Sequence, residues 1–194
     1  MNLTPDLVFA EVVAAQLDDY LHAEVLFYPV GSVQGVNLPP LTIGAWLETA
    51  WRLKALRDCA PAQVDAALDR AQAEVQKLRR RIPELYQAKA RREFKSRLDT
   101  WEMFLDERSE VKPARPYNEL AGYATHAHTR LKLELLKEDE SQLMTQLARL
   151  RLCDARLRAR FKPGGFIWER ELQPAAPPER FWWLYAASAE STAR

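Results

Sequence analysis

Apolar residues recur at alternating intervals of four and three positions along two long stretches of the chain. Such spacing is typical of α-helices that bury one face in a seam with another helix. The first stretch, from 61 to about 109, carries Val64, Leu68, Ala71, Val75, Leu78, Ile82 and Leu85, then Phe94, Leu98, Trp101 and Leu105; the second, from about 118 to 161, carries Leu133, Leu136, Glu140, Leu143, Leu147, Leu150, Asp154, Leu157 and Phe161. Because one turn-rich linker separates the stretches, they predict a long antiparallel helical hairpin.

The N-terminal part predicts two further helices that cover this hairpin. One begins near Thr4, where a first-turn proline and an acid follow, and another begins at Thr42. Between them, Gly31 and Ser32 predict a type II′ β-hairpin, because glycine suits the first central position of that turn. Pro83 is expected to kink or break the first long stretch, since proline lacks the amide hydrogen. The predicted fold class is mostly α: an antiparallel helical bundle with a small β-hairpin or an extended aromatic C-terminal segment.

The segment from 164 to 185 holds six aromatic side chains in 22 positions. Apolar and polar side chains alternate over 166–172, which predicts a half-buried β-strand. Since a tryptophan or phenylalanine buries about 150–250 Å² in typical proteins, the segment is expected to fix the chain end against the bundle. The alternatives are a partner interface through Trp182 and Trp183 and, third, direct binding of a ligand.

Length and composition predict one helical domain over 1–185, followed by a disordered tail over 186–194. With 194 residues, 47% of them hydrophobic, the chain can bury a substantial core. The uncharged run Val25–Leu47 is long enough to suggest a membrane helix, but its prolines and glycines favour loop and short strand. No membrane association is therefore expected. Because Cys59 and Cys153 form no close-spaced pair, reduced thiols and a cytoplasmic location are expected.

The formal net charge of +1 hides a strong asymmetry along the chain. Residues 1–51 contain six acids and no lysine or arginine, so the other 143 residues carry +7. Such a division lets the two parts of one fold pair with each other, and it also lets a polyanion bind one side. Internal pairing is the interpretation that the sequence favours.

Basic side chains cluster in three blocks that could bind a phosphate backbone. The block at 79–81 also lies in the last turn of a predicted helix, where cations favour the helix dipole. Arg91 and Lys95 lie one turn apart, and two like charges so placed are mildly destabilising without an acidic partner or an anion. The block from 149 to 162 holds six basic residues and one acid, and its arginines flank the seam. The candidate nucleic-acid-binding residues are Arg79, Arg80, Arg81, Arg91, Arg92, Lys95, Arg151, Arg156, Arg158 and Arg160.

Glu140 and Asp154 are charged residues at seam positions, and a buried charge is costly unless it is paired. Each therefore needs an arginine across the interface or a local exit to solvent. They either fix the register of the helices or mark a break, for which the polar run 137–141 is a suitable place. A catalytic carboxylate pair is the third interpretation.

The three histidines, His22, His126 and His128, do not form a metal-binding motif. On a helix, residues two apart point to different faces, so His126 and His128 reach one metal only from a strand or a turn. Asp18 and His22 do share a helix face. The sequence also lacks Gly-rich phosphate loops and the GxSxG, CxxC and HExxH patterns. No metal, cofactor or catalytic residue is therefore predicted.

These observations predict a non-catalytic helical interaction or scaffold protein, which binds a protein partner in a larger complex or forms a homodimer. The first alternative is a nucleic-acid-associated accessory protein that uses its basic helix faces. The second alternative is a small metal-dependent enzyme whose site lies near Asp18, His22, His126 and His128.

Overall fold

The computed structural model describes residues 3–111, 116–117, 122–139 and 144–186. These residues are mostly helical with two small antiparallel β-sheets, which confirms the predicted mostly-α class with a small β-hairpin. Within these ranges, no helix is both long enough and apolar enough to cross a membrane. The helices are α1 Thr4–His22, α2 Ile43–Ala55, α3 Pro61–Arg81, α4 Pro83–Val111, α5 Tyr123–Asp139 and α6 Met144–Ala159; the strands are β1 Ser32–Val33, β2 Val36–Asn37, β3 Pro163–Phe166 and β4 Tyr185–Ala186.

Contacts within the chain concentrate in two compact units, Met1–Glu93 and Phe94–Arg194. We call them the first unit and the second unit. The expectation of one domain over 1–185 stays a prediction. Ala186, the first residue of the expected tail, is instead buried and pairs with Pro163 in the β3–β4 sheet. The rest of that tail lies outside the described residues.

In the first unit, α1 packs against both α2 and α3. The predicted apolar stripes form the core between these helices, because residues three and four apart share one helix face. Its fully buried members include Leu17 and Leu21 of α1, Leu53 of α2, and Val64, Ala71 and Leu78 of α3. These seam residues are therefore buried in contacts within the chain.

The helix ends of the first unit follow the signals in the sequence. Thr42 caps α2, since its Oγ1 accepts a hydrogen bond from the N–H of Ala45 at 3.0 Å. Pro61 is the first residue of α3, where its missing N–H leaves no helical bond unmade. Ile82 separates α3 from α4, which starts at Pro83. The expected break at this proline is confirmed, and the first heptad stretch is two helices.

The first β-hairpin forms, but at a different turn from the one predicted. Gln34 and Gly35 join β1 to β2, and their φ angles are +52° and +75°. Positive φ at both central residues is typical of a type I′ turn, whose twist matches that of the paired strands. The type II′ turn at Gly31 and Ser32 is wrong, because Ser32 already belongs to β1.

Two buried charged side chains, one turn apart on α4, hold other elements of the first unit. Lys89 Nζ donates to the carbonyl oxygens of Ala23 and Val25, both at 2.6 Å, just after the end of α1. The carboxylate of Glu93 accepts the N–H of Gly44 at 2.8 Å in the first turn of α2. Each charge has the sign that the adjacent helix end favours. Burial lowers the pKa of Lys89 from its usual value.

In the second unit, α4 and α6 run parallel to each other. Arg149 pairs with Asp99 at 2.9 Å and also with Glu102. Seven residues further along α6, Arg156 pairs with Asp106 of α4. Because the residue numbers of both helices rise together along this row of ion pairs, the two helix axes point the same way.

Helix α5 runs antiparallel to α6 and therefore also to α4. The ring of Tyr123, the first residue of α5, lies 6.4 Å from that of Phe161, which follows α6. Further along α5, Arg130 pairs with Asp154, which precedes Phe161. The antiparallel pairing of α4 with α5 agrees with the predicted hairpin. The second heptad stretch contains α5 and α6, and residues 140–143 between them lie outside the described residues.

The strand predicted over 166–172 is wrong. Strand β3 ends at Phe166, and Arg170–Ala175 forms a 3₁₀ turn. The partner strand β4 has only two residues. The backbone pairing with it therefore ends at the hydrogen bond that the N–H of Ile167 donates to the carbonyl oxygen of Leu184 at 3.0 Å. Beyond it, local bonds such as Leu172 N–H to Glu169 O satisfy the backbone instead.

The contact between Lys89 and the loop after α1 can be tested by Lys89→Met. This change leaves two carbonyl oxygens without their donor, and we expect it to lower the free energy of unfolding by about 1–3 kcal/mol. Urea unfolding measured by circular dichroism gives this value. Lys95→Met is the matched control, because Lys95 is exposed, and its effect should stay within about 0.5 kcal/mol. Equal losses in both variants would contradict the assigned role.

Candidate interaction surface

A buried arginine on α5 joins three parts of the second unit. The Nε and Nη2 atoms of Arg130 donate to the two carboxylate oxygens of Asp154, both at 2.8 Å, and Nη1 donates to Glu134 at 3.1 Å. Its guanidinium carbon lies 3.9 Å from the centre of the Trp183 ring. A planar guanidinium can bind a carboxylate with two hydrogen bonds and stack on an aromatic face at the same time.

This cluster explains one of the two acids on the predicted seam. The prediction that a seam acid needs an arginine across the interface is confirmed at Asp154, whose two oxygens both accept from Arg130. The pair connects α5 with α6 and therefore favours one register of the two helices, which is one of the two roles that the sequence left open for this acid. The other acid, Glu140, lies outside the described residues.

Glu134 is the second acid in contact with Arg130. Lys137 Nζ donates to it at 2.6 Å, and Arg180 lies 3.6 Å from the same oxygen. Burial by itself raises the pKa of Glu134, but the hydrogen bond from Lys137 and the charge of Arg130 outweigh burial and lower the pKa below its usual 4.5. The carboxylate is therefore charged at neutral pH and balances part of the positive charge around it.

The aromatic C-terminal segment is fixed against this cluster, as the sequence suggested. The hydroxyl of Tyr123 donates to the carbonyl oxygen of Trp183 at 2.7 Å, and Trp183 is 1% exposed. Trp182 is half-buried: the guanidinium carbon of Arg158 lies 3.8 Å from its ring centre, and the ring of Phe161 lies nearly perpendicular to it with the ring centres 5.2 Å apart. The partner interface through Trp182 and Trp183 stays a prediction, and of the two side chains Trp182 is the more exposed.

Seven of the ten candidate nucleic-acid-binding residues have interactions within their own chain. In the first unit, for example, Arg81 pairs with Asp18 at 2.5 Å. Arg80, Lys95 and Arg151 are exposed and have no such interaction with the part of the chain that the structure describes. The seven are Arg79, Arg81, Arg91, Arg92, Arg156, Arg158 and Arg160.

The histidines serve different contacts. The ring of His126 stacks on Phe104 and that of His128 stacks on Trp168, each with ring centres 4.2 Å apart. His22 lies near the end of α1, in the first unit. Across the described ranges, no group of three or more His, Cys, Asp or Glu side chains is placed to hold a metal ion.

Both cysteines are free, and the one on α6 has an unreactive environment. Cys153 is buried, and burial, followed by the nearby charge of Glu102, raises its thiol pKa to about 11. The thiol therefore stays protonated at neutral pH, whereas the thiolate is the nucleophile in cysteine chemistry. Cys59 lies exposed in a 3₁₀ turn of the first unit.

A groove of about 410 Å³ lies between α1 and α3 in the first unit. Its lining is mostly apolar, and the charged side chains at its wall, Glu11 and Arg70, approach each other to 3.5 Å. Small-molecule sites usually combine an apolar lining with a few polar groups that converge on the ligand. Because these two groups pair with each other, the groove does not indicate a particular ligand.

Two exposed apolar side chains mark a surface that the sequence did not single out. Leu152 on α6 is 66% exposed and Met103 on α4 is 55% exposed, more than any other large hydrophobic side chain in the described ranges. Both residues are apolar but lie outside the predicted seams. An apolar residue off a seam is therefore the sequence signal that could have indicated them. Scattered apolar residues are common on protein surfaces, so this signal alone does not identify a site.

Rows of opposite charge lie between these two apolar side chains. Successive residues of a helix are turned by about 100°, so Met103 lies on the side of the acids away from α6, and Leu152 lies on the side of the arginines away from α4. In the chain, Met103 lies between the first and last acids that pair with α6, and Leu152 lies between the two arginines that pair with α4. Met103 and Leu152 are therefore at about the same height along the parallel helix axes. The acidic row is Asp99, Glu102 and Asp106; the basic row is Arg149 and Arg156. We call Met103, the two rows and Leu152 the α4–α6 surface.

Comparison of the chain with protein-family models, with curated proteins and with solved structures finds no match. The function is therefore inferred from the chemistry of the described residues. The α4–α6 surface is the place where large apolar groups and ordered charges lie together on exposed helices. It is the candidate interaction site of this protein.

The importance of the buried arginine can be tested by Arg130→Met, which keeps an unbranched apolar stem. The change leaves the carboxylate of Asp154 without the cation that binds both its oxygens and removes one of the cations around Glu134, and we expect the free energy of unfolding to fall by about 3–5 kcal/mol. Urea unfolding followed by tryptophan fluorescence measures it. Arg151→Met, at an exposed position of α6, should change stability by no more than about 0.5 kcal/mol. Similar unfolding midpoints for the two variants would rule out the joining role of Arg130.

The lowered pKa of Glu134 makes stability depend on pH in a defined direction. Its contribution is fully present above the usual value of 4.5 and is lost as the pH falls through the lower, folded-state value. The stability difference between the wild type and Glu134→Gln should therefore shrink as the pH drops below 4.5. Urea unfolding at a series of pH values tests this, with the exposed Glu179→Gln as control. A difference that stays constant down to acid pH would contradict the charged state of Glu134.

Proposed function

We propose that this protein is a non-catalytic helical interaction protein, and that its partner binds the α4–α6 surface. The observation that carries the proposal is the exposure of Leu152 and Met103 on either side of an ordered row of ion pairs. Protein interfaces often combine a few apolar anchors with a polar or charged surround that excludes water. This surface has both components.

The heptad seams point to the same conclusion. They first suggested helix faces that could bind a partner, but residues such as Leu133, Leu136 and Leu157 are fully buried within the chain. The seams therefore build the fold, and an interaction must use side chains outside them. Burying a leucine or methionine side chain contributes about 1.5–3 kcal/mol, so Leu152 and Met103 can supply binding energy that the isolated chain leaves unused.

The nucleic-acid alternative is supported by fewer groups than the sequence suggested. It depends on Arg80, Lys95 and Arg151, the candidates that are exposed and without an interaction in the described part of the chain. Binding to a phosphate backbone grows with the number of cations that it engages. The arginines already stacked or paired within the chain would have to leave those contacts to contribute.

A photoreactive amino acid at position 152 tests the proposal. Irradiation of cells that express this variant should give a discrete crosslinked protein species, because position 152 lies inside the α4–α6 surface. The same amino acid at Val25, an apolar residue that is 49% exposed in the first unit, is the matched control and should give little product. Mass spectrometry of the product identifies what is bound.

Two results would contradict the proposal. Equal crosslinking at both positions would show that exposure alone accounts for the product. No crosslinking at position 152, together with salt-dependent RNA binding that falls when Arg80, Lys95 and Arg151 are changed to Gln, would favour the nucleic-acid alternative.

A further inference from the structure

We propose that the partner at the α4–α6 surface is a second copy of this chain, related to the first by a twofold axis parallel to α4 and α6. This inference rests on the proposed interaction function and names its partner. It is carried by the order of chemical groups across the surface, which runs from Met103 through the acidic row and the basic row to Leu152.

That order is complementary to itself under one rotation. In a twofold dimer, the same patch is used on both copies, so each residue faces a position on the partner that in turn faces it. A half-turn about an axis along the helices brings the basic row opposite the partner's acidic row. The same half-turn brings Leu152 of each copy opposite Met103 of the other. Each charge of the two rows then meets an opposite charge, and the two apolar side chains meet each other.

Because α4 and α6 are parallel, residues that lie at the same height along the helix axes in one copy also face each other across the proposed dimer. A rotation about an axis along the helices does not shift positions along that axis. Arg156 and Asp106 pair within the chain and so lie at one level, and each would also face the other residue of the partner at that level. A half-turn about a perpendicular axis in the surface would instead place acidic rows together and basic rows together, which costs free energy.

The face of α6 around Leu152 also permits close approach. On the side of Leu152 away from α4, its exposed positions include three alanines, whose small side chains let a facing helix approach the leucine. These residues are Ala148, Ala155 and Ala159. Leu152 therefore projects further from α6 than these alanines, and it is the apolar side chain that would contact the partner's α4.

The oligomeric state of the full chain tests this proposal. Sedimentation equilibrium from about 1 to about 100 μM protein should show a species of twice the 22.4 kDa chain mass. Leu152→Glu and Met103→Glu should each raise the dimer dissociation constant about tenfold or more, because each buries a charge against an apolar group. Val25→Glu is the matched control and should leave it unchanged. Circular dichroism must show wild-type helix content for every variant compared.

A charge-swapped chain separates this dimer from other modes of self-association. In Asp106→Arg with Arg156→Asp, the ion pair within the chain is kept with reversed sign. The swapped chains should dimerise with each other, but a mixed dimer would place acid opposite acid and arginine opposite arginine at this level. Dimers between labelled wild-type and swapped chains should therefore form at least about tenfold less readily than either homodimer. Free mixing of the two would overturn the proposed axis.

The outcomes also distinguish this inference from the function on which it rests. A wild-type chain that stays monomeric, while position 152 still crosslinks to a different protein, would overturn the second copy and keep the interaction function. A dimer insensitive to both glutamate variants would also overturn the inference. A monomer without any crosslink at position 152 would overturn both.

Discussion

The second unit depends on the burial of one cation. Taking a guanidinium out of water costs several kcal/mol unless its partners surround it, so Arg130 can be buried only when Asp154, Glu134 and Trp183 are all in place. These partners belong to α6, to α5 and to the C-terminal segment. The same contact therefore positions α6, and α6 in turn presents its arginines to α4. The order of charges on the exposed surface follows from an interaction in the interior.

Charge organises the first unit in two ways. The acidic N-terminal part pairs with basic residues of α2 and α3, as internal pairing required, and two of these three pairs are exposed, so solvent screens them. Lys89 and Glu93 are buried and bind backbone groups, so each satisfies polar atoms that would otherwise lack a partner. These ion pairs use three of the six acids of the N-terminal part, and the buried Lys89 accounts for the position of the loop after α1. The pairs are Arg52–Asp6, which is largely buried, and the exposed Arg70–Glu11 and Arg81–Asp18.

The sequence predicted those features that local chemistry decides. The cap at Thr42 and the break at Pro83 depend on one residue and its neighbours, and the apolar stripes depend on helix periodicity. Features that depend on residues far apart in the chain were missed or predicted wrongly. The strand predicted over 166–172 does not form, because its partner strand β4 has only two residues with which to make backbone hydrogen bonds. The candidate surface was missed for the same reason. Leu152 and Met103 lie outside the predicted seams, but only the position of α4 relative to α6 shows that they flank the same rows of ion pairs.

The environments of the two cysteines also determine how the chain meets oxidants. Oxidation proceeds through the thiolate and needs access to the sulfur. Cys59 is exposed, whereas Cys153 is buried on α6 beside the outward-facing Leu152, with its thiol pKa raised to about 11. A folded chain is therefore modified at Cys59 first, and sulfenic acid or a mixed disulfide at position 153 signals that α6 has left its packed position. The redox state of one sulfur thus records whether the second unit has stayed folded.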